Sequence, residues 1–417
     1  MSKQVDCCIA GGGPAGMMLG VLLARVGLRI LVLEKHQDFL RDFRGDTIHP
    51  STMEIMHELG WLEEFLKLPH EPVRQLVGQF GDDRIKLADF SHLSAQAKFI
   101  AMMPQWDFLD FLARKGANYP GFELWMNAEV TGFAKDGAPG PANTLAVRTP
   151  DSRVTVTAPL VVAADGRAST LRAAAGLKPT EFGAPMDVLW FRLSRQPNDT
   201  AETQARFESG RIFIMLNRGD YWQCAFVIAK GHNEQIRAQG LDAFRQGVAS
   251  LVPFEPARVN QLVSWELIKL LTVKVDRLDC WHAPGLLCIG DAAHAMSPVG
   301  GVGINLAVQD AVAAANILAR PLLQRRLSTG DLQAVQRRRE WPTRVTQRLQ
   351  LIMQNAIIAP TLSASSSPRP PTLLRWITRL PMFNRVLPRV FGLGVQPEHV
   401  SEFIRRGHSA PPLNAPA

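Results

Sequence analysis

Two glycine-rich stretches and the acids beside them carry the chemistry of this sequence. Near its start, GGGPAG sets Gly11, Gly13 and Gly16 in G-x-G-x-x-G spacing, and Glu34 follows 18 residues beyond Gly16. Such glycines permit a tight turn, close approach to a pyrophosphate and tight helix packing, while the acid accepts hydrogen bonds from ribose hydroxyls. Ala15 inside the turn and Lys35 after the acid join the candidate cofactor contacts. Residues 285–311 read GLLCIGDAAHAMSPVGGVGINLAVQDA. An apolar run there breaks at Gly290-Asp291, and Gly300, Gly301 and Gly303 precede a helix expected near Ile304. Amides from Gly300 to Asn305, gathered at a helix start, favour negative charge. A carboxylate at a strand end followed by such a nest suits a large polar cofactor with a hydroxyl-rich arm and an electron-accepting ring.

The elements that must position these groups follow from the pattern. Residues 5–10 read as a buried strand, 17–26 as a helix and 29–33 as a second strand ending at Glu34. Together these identify a dinucleotide site, though the motif alone does not choose between nicotinamide and flavin. Arg41 and Arg44 come next, Arg44 as a candidate phosphate contact, and residues 49–65 read as a helix. Residues 73–103 alternate short strands with turns, which predicts a second, sheet-rich domain. A helical period returns around Gln105, a candidate donor to a cofactor oxygen or else a simple cap. Residues 124–158 resemble a β-meander feeding an apolar strand, 160–163, that ends in Ala164-Asp165-Gly166. Residues 178–281 read again as strands and are expected to form one sheet with 73–103.

A chain of 417 residues, 46% hydrophobic and 20% charged, supports a large core in two or three domains. Five cysteines without a C-x-x-C pair indicate neither a disulfide framework nor a zinc site and predict a reduced, cytoplasmic protein. None of the ten histidines falls in a zinc spacing, so no metal is expected. The N-terminus predicts no signal peptide. Glycines and Pro14 in residues 7–24, and polar residues in 349–368, argue against membrane spans. The net charge of +8 is uneven: from Leu318 onward 15 Arg, no Lys and 4 acids give +11, leaving −3 for the rest. The basic character belongs to the tail and comes without a nucleic-acid motif, so no nucleic-acid partner is expected. A membrane surface or a partner suits it better.

GGGPAG with Glu34, then ADGRASTLR with Asp165, Gly166, Ser169 and Arg172, then CIGDAAHAMSPVGGVGIN with Asp291 occur in this order. Over roughly residues 5–320 the chain resembles the para-hydroxybenzoate hydroxylase-like, single-component (group A) FAD-dependent aromatic monooxygenases. The resemblance implies an α/β fold with a discontinuous, GR2-type Rossmann-like FAD-binding domain (1–72, 105–177 and 281–320). It also implies an interleaved β-sheet substrate domain (73–104 and 178–280), followed here by a C-terminal helical region (321–406) and a disordered tail (407–417). It implies tight, non-covalent FAD, with the glycine motif and Glu34 on the ADP part. Residues like Arg44 and Gln105 then contact the phosphate and ribityl regions, Asp165 serves FAD and the nicotinamide cofactor, and Asp291 holds the ribityl hydroxyls. Gly301, Gly303, Ile304 and Asn305 would lie under the redox ring. NAD(P)H is implied as a transient co-substrate that reduces FAD, and O2 adds at flavin C4a to give the hydroperoxide that hydroxylates an electron-rich ring. Pro298, Gly300, Gly301 and Arg192 are the candidate catalytic positions.

In such a family the sheet lines the substrate pocket, which makes Trp190, Arg192, Met215, Trp222, Gln223, Phe226 and Pro298 its candidate lining. With only Tyr119 and Tyr221 present, no phenol-deprotonating tyrosine network can be placed. A larger apolar aromatic or quinolone-like ring is the expected small-molecule substrate. The alternatives are a flavin halogenase, for which no W-x-W-x-I-P segment is found, a flavin dehydrogenase or reductase, and a non-catalytic FAD-bound scaffold. Residues 332–358 read as a long helix, 363–371 as a linker and 373–391 as two short amphipathic helices interrupted at Pro381 and Pro388. These either pack over the substrate domain or dock peripherally on an anionic membrane. The protein is expected to be a monomer or a homodimer.

Overall fold

The computed structural model describes residues 2–40, 47–81, 83–135, 143–200, 202–364 and 383–407. Arg41, Arg44, most of the 363–371 linker, the 373–382 part of the amphipathic stripe and the tail from 408 lie outside the described residues.

Short apolar runs build the central sheet. Cys7–Ala10, Ile30–Leu33 and Leu160–Ala163 are buried at every position, as strands covered on both faces must be. Six strands run in the order His282–Ala283, Leu286–Cys288, Leu160–Ala163, Cys7–Ala10, Ile30–Leu33, Phe122–Trp125, all parallel except the first pair. Cys7 and Ile9 face one core and Cys8 and Ala10 the other, the alternation a pleated strand imposes. Helix Pro14–Arg25 starts on a proline, whose missing N–H costs nothing in the first turn, and carries the crossover to Ile30–Leu33. Helix Gly303–Leu323 packs against it. That helix, with the turn before it, is long and apolar enough to cross a membrane, but 83% of its most apolar window is buried. It is the core helix of this layer. Of the meander expected in residues 124–158, Glu129–Lys135, Asn143–Arg148 and Arg153–Ala158 form a separate four-stranded sheet with Ser2–Gln4, while Leu124 and Trp125 belong to the central sheet.

A second layer is the seven-stranded sheet, ordered Lys269–Leu271, Met186–Ser194, Tyr221–Ala229, Arg211–Asn217, Gln204–Glu208, Gln75–Phe80, Asp83–Asp89. It joins the two stretches expected to share a sheet, through a parallel pairing of Gln75–Phe80 with Gln204–Glu208. Not every strand of those stretches enters it. Ile100–Met102 pairs with both Thr47–Ile48 and Glu71–Val73, and Asp276–Leu278 pairs with both Pro179–Glu181 and His294–Ala295, in two separate three-stranded sheets. Residues 230–249 include two helices, Asn233–Ala238 and Leu241–Ala249, within a region expected to be all strand.

Beyond Arg320 the chain returns to the core. Helix Thr329–Met353 opens on a capping box between Ser328 and Asp331 and passes through a π-turn, Gln354–Ile358, into Ala359–Ser363. Its inward stripe is polar: Gln336, Arg339, Thr343, Gln347, Gln350 and Gln354 are all buried. Their 3-4-4-3-4 spacing keeps one helical face in register.

Candidate active site

Register places the motifs side by side. Ala10 pairs with Leu33 and with Ala163, and Ala163 pairs with Cys288. Gly11, Glu34, Asp165 and Asp291 therefore all leave the sheet at its carboxyl edge. This is where open parallel sheets bind ligands.

Gly11 adopts φ +109°, and a Cβ there would run into the Ala164 carbonyl; one on Gly16 would strike the Gly11 carbonyl. Only glycine permits these approaches. A Cβ on Gly13 would meet open space, as would one on Gly303. The Gly12 amide donates to Glu34 Oε2 at 3.0 Å, and the His36 amide and Nδ1 lie 3.0 and 2.6 Å from Glu34 Oε1. Ala15 is buried beneath the turn, and Lys35 is exposed.

The two acidic turns touch. Arg167, in the Asp165-Gly166 segment, pairs with Asp291 at 3.0 Å, and Arg172 donates to the Ala292 carbonyl at 3.1 Å. Asp165 accepts from the Thr170 amide at 2.8 Å through Oδ2, while its Oδ1 is buried without a partner. Burial pushes its carboxyl up, against the Ser169 hydroxyl and the helix amides that favour the charge. An orphaned buried oxygen between the glycine turn and Asp291 suits a hydroxyl-bearing ligand there.

Past Asp291, Pro298 precedes a single turn, Val299–Gly301, with Gly300 at φ +79° and Gly301 at φ +62°. A side chain on Gly301 would collide with Thr47. Gly303, Ile304 and Asn305 open the long helix, where backbone amides lack helical partners and carry its positive end. The cofactor contact expected of Asn305 is through its backbone amide, and its side chain has a separate task. Its Oδ1 accepts from the His49 amide and the Thr52 hydroxyl, both at 2.8 Å, and its Nδ2 donates to the Thr47 and Gly301 carbonyls. With both ends of the amide spent on this clamp, only the Asn305 main chain can serve a ligand. Gln105 is the half-buried first residue of helix Gln105–Gly116, and Pro104 at the cap position offers no side-chain cap.

Sheet parity sorts the pocket candidates. Trp190 packs against an apolar layer that includes Val188, Ala225, Val227 and Ile358 and also receives Ile214 and Val299, so it shares a face with the start of the Val299–Gly301 turn. Gln223 has the same parity and is buried, accepting from Arg218 Nε at 2.8 Å. Met215, Trp222 and Phe226 sit apart from that layer. They alternate to the opposite face and pack with Phe244 and Val248 of helix Leu241–Ala249, and the Trp222 indole donates to Asp199. Arg192 shares the Trp190 face, is exposed and lies over the Tyr221 ring at 4.6 Å. Sequence reading missed Ile214, Val299 and Ile358; a two-residue alternation from Trp190 through its cross-strand partner Ala225 finds the first of them.

His294 is buried with Nε2 at 2.6 Å from Asp310 Oδ2, a structural role. The Asp310 carboxyl also accepts from the Gly290 amide and from Arg339. Burial alone would raise it, yet His294 and Arg339 hold it below the usual carboxylate range.

Residues 4–349 match the family model described as FAD binding domain. A 6-methylpretetramide 4-monooxygenase of Streptomyces rimosus is 30% identical over 397 residues, covering 93% of this chain and 92% of the relative. Among solved structures, the OxyS anhydrotetracycline hydroxylase of Streptomyces rimosus superposes with TM-score 0.74 at 22% identity, covering 96% of this chain and 78% of that one. PqsL of Pseudomonas aeruginosa gives TM-score 0.70 at 19% identity over 87% and 99%. At these identities the two structures speak for the shared fold. The glycine turn, the paired acidic turns and the helix-start nest thus lie in a matched family over most of the chain: it belongs to the FAD binding domain family and is an FAD-dependent monooxygenase.

Proposed function

We propose that the enzyme takes NAD(P)H and O2 as co-substrates and hydroxylates a fused or otherwise extended aromatic ring. The observation that supports this best is the single face shared by the Val299–Gly301 turn and the apolar layer of Trp190, Ile214 and Ile358. A ring bound against that layer lies beside the amide nest and away from water. Bound FAD supplies electron transfer from NAD(P)H and the activation of oxygen. The chain's own groups position and shield it. Glu34 takes ribose hydroxyls, the amides of the Gly11–Gly13 turn take the pyrophosphate, and Asp291, steered by Arg167, takes the ribityl hydroxyls. The amides of Gly303, Ile304 and Asn305 favour negative charge on the reduced ring. The relative from Streptomyces rimosus is named for oxidation of a pretetramide, which supports an extended aromatic substrate here.

The test uses purified, FAD-loaded protein, NADH or NADPH, and a panel of anthraquinones, naphthols and quinolones under 18O2. The expected result is a hydroxylated product carrying one labelled oxygen. Products that form without label would convert the reading to a dehydrogenase, and failure of both nicotinamides to bleach the flavin would remove NAD(P)H from it.

A further inference from the structure

A helix late in the chain ends beside the Gly300 turn. Helix Phe383–Gly392 lies against strand Asp83–Asp89 and the turn Phe90–His92 of the substrate layer. Its penultimate residue, Phe391, packs with two clusters at once. One holds Phe90, Leu93 and Met102, with Leu216 against it. The other holds Met296, Val302 and Leu306, which flank the Gly300 turn. A Cβ built on Gly300 would meet the Phe391 ring at 2.5 and 2.8 Å, so the ring rests directly on that peptide. Glycine is required there twice over, by its φ of +79° and by the ring above it.

The backbone holds Phe391 in place. Its carbonyl accepts from His49 Nδ1 at 2.7 Å, and the His49 amide donates to the Asn305 side chain that also grips Gly301. Gly392 packs so closely on Leu93 and Phe90 that a side chain there would displace them. Phe391 itself is half-buried, with one side toward the seam between the two layers.

We propose that Phe391 is the aromatic wall of the reaction chamber, closing the seam between the substrate sheet and the Gly300 turn and keeping water off the redox ring. The proposal rests on the FAD-dependent reading above. An open seam admits water and uncouples the reaction: NAD(P)H, a proton and O2 become NAD(P)+ and hydrogen peroxide, with no oxygen reaching the substrate.

The experiment compares FAD-loaded full-length wild type, F391A, F391L and V386A; Val386 is exposed on the same helix and serves as control. Iodide quenching of flavin fluorescence reads solvent access, and peroxide formed per NAD(P)H without substrate reads the leak. In F391A both are expected to rise roughly threefold or more through lost exclusion of water, in F391L by less, and in V386A not at all. If F391A does not retain flavin, F391L carries the comparison. Quenching equal to wild type in a flavin-loaded Phe391 variant, or an equal rise in V386A, overturns the wall. A wild-type chain that holds no FAD overturns the cofactor reading, and this proposal with it.

Discussion

His49 joins the clamp to the wall and does so as a neutral ring. Burial pushes its imidazole down to about 4, only partly opposed by the bond to the Phe391 carbonyl, and Nε2 is buried without a partner. The unfolded chain takes up this proton near the ordinary histidine value, and the folded one does so only near 4. Between those values the unfolded state binds more protons, so stability falls as pH drops through that window. A shift of this size is worth at most about 3 kcal/mol. H49N, whose amide keeps a donor near the Nδ1 position, is expected to flatten the fall in urea midpoint between pH 6.5 and 4.5; an unchanged slope would place the dependence elsewhere. Asp291 makes a second prediction. D291A removes the acceptor proposed for the ribityl chain and is expected to weaken FAD binding by roughly tenfold or more, the scale of one charge-assisted hydrogen bond. Flavin titration with unchanged far-UV circular dichroism checks it, and full flavin retention would contradict the role.

The element that holds the Val299–Gly301 turn is helix Thr329–Met353 with its π-turn. Gln350 donates to the Ser297 and Val299 carbonyls at 3.0 and 2.8 Å and accepts from the Ser297 amide at 3.2 Å, gripping the peptides on both sides of Pro298. Gln347 holds the Asp276 and Ala295 carbonyls, and Gln354 reaches Ser297 Oγ at 2.6 Å. Q350L would strand three buried backbone groups, and at about 1 kcal/mol or more for each it is expected to cost roughly 3 kcal/mol. Denaturant unfolding measures this, and a loss under about 0.5 kcal/mol, as for a surface site, would refute the grip. In the sequence this helix was legible and its purpose was not. The polar residues at 3-4-4-3-4 spacing look like a solvated face until the partners of its glutamines, mostly backbone groups distant in sequence, are seen. The same limit explains the pocket residues. A strand's two faces are equivalent in sequence when both are apolar, so Met215 and Trp222 could not be separated from Trp190 and Ile214 without knowing which face the Leu241–Ala249 helix covers. The glycine turn and the acids at the strand ends needed no such knowledge, because their spacing along the chain is itself the geometry.

At the scale of the molecule, the C-terminal region is a strut rather than an appendage. Arg339, fully buried, donates to Asp310 Oδ1 at 3.0 Å and to Glu398 Oε1 and the Gln396 carbonyl, each at 3.2 Å. Asp310 in turn receives the Gly290 amide, one residue before Asp291, at 3.1 Å. Further along, His399 pairs with Glu58, and the carbonyls of Ile404 and Arg405 accept from Arg25 on the dinucleotide helix. The arginines that make this tail basic are therefore partly structural: Arg338 and Arg339 both spend their charge on Glu398. Removing one member of such a buried network leaves the others uncompensated, a loss of about 3–5 kcal/mol. R339M is expected to lose that much and to loosen FAD, since Asp310 no longer holds the Gly290 turn. E398Q, which keeps an acceptor for both arginines, is expected to lose less. Thermal unfolding with and without added FAD ranks the two variants, and an E398Q loss equal to or above that of R339M would show that the strut is anchored at Glu398 and not through Asp310 at the cofactor turn.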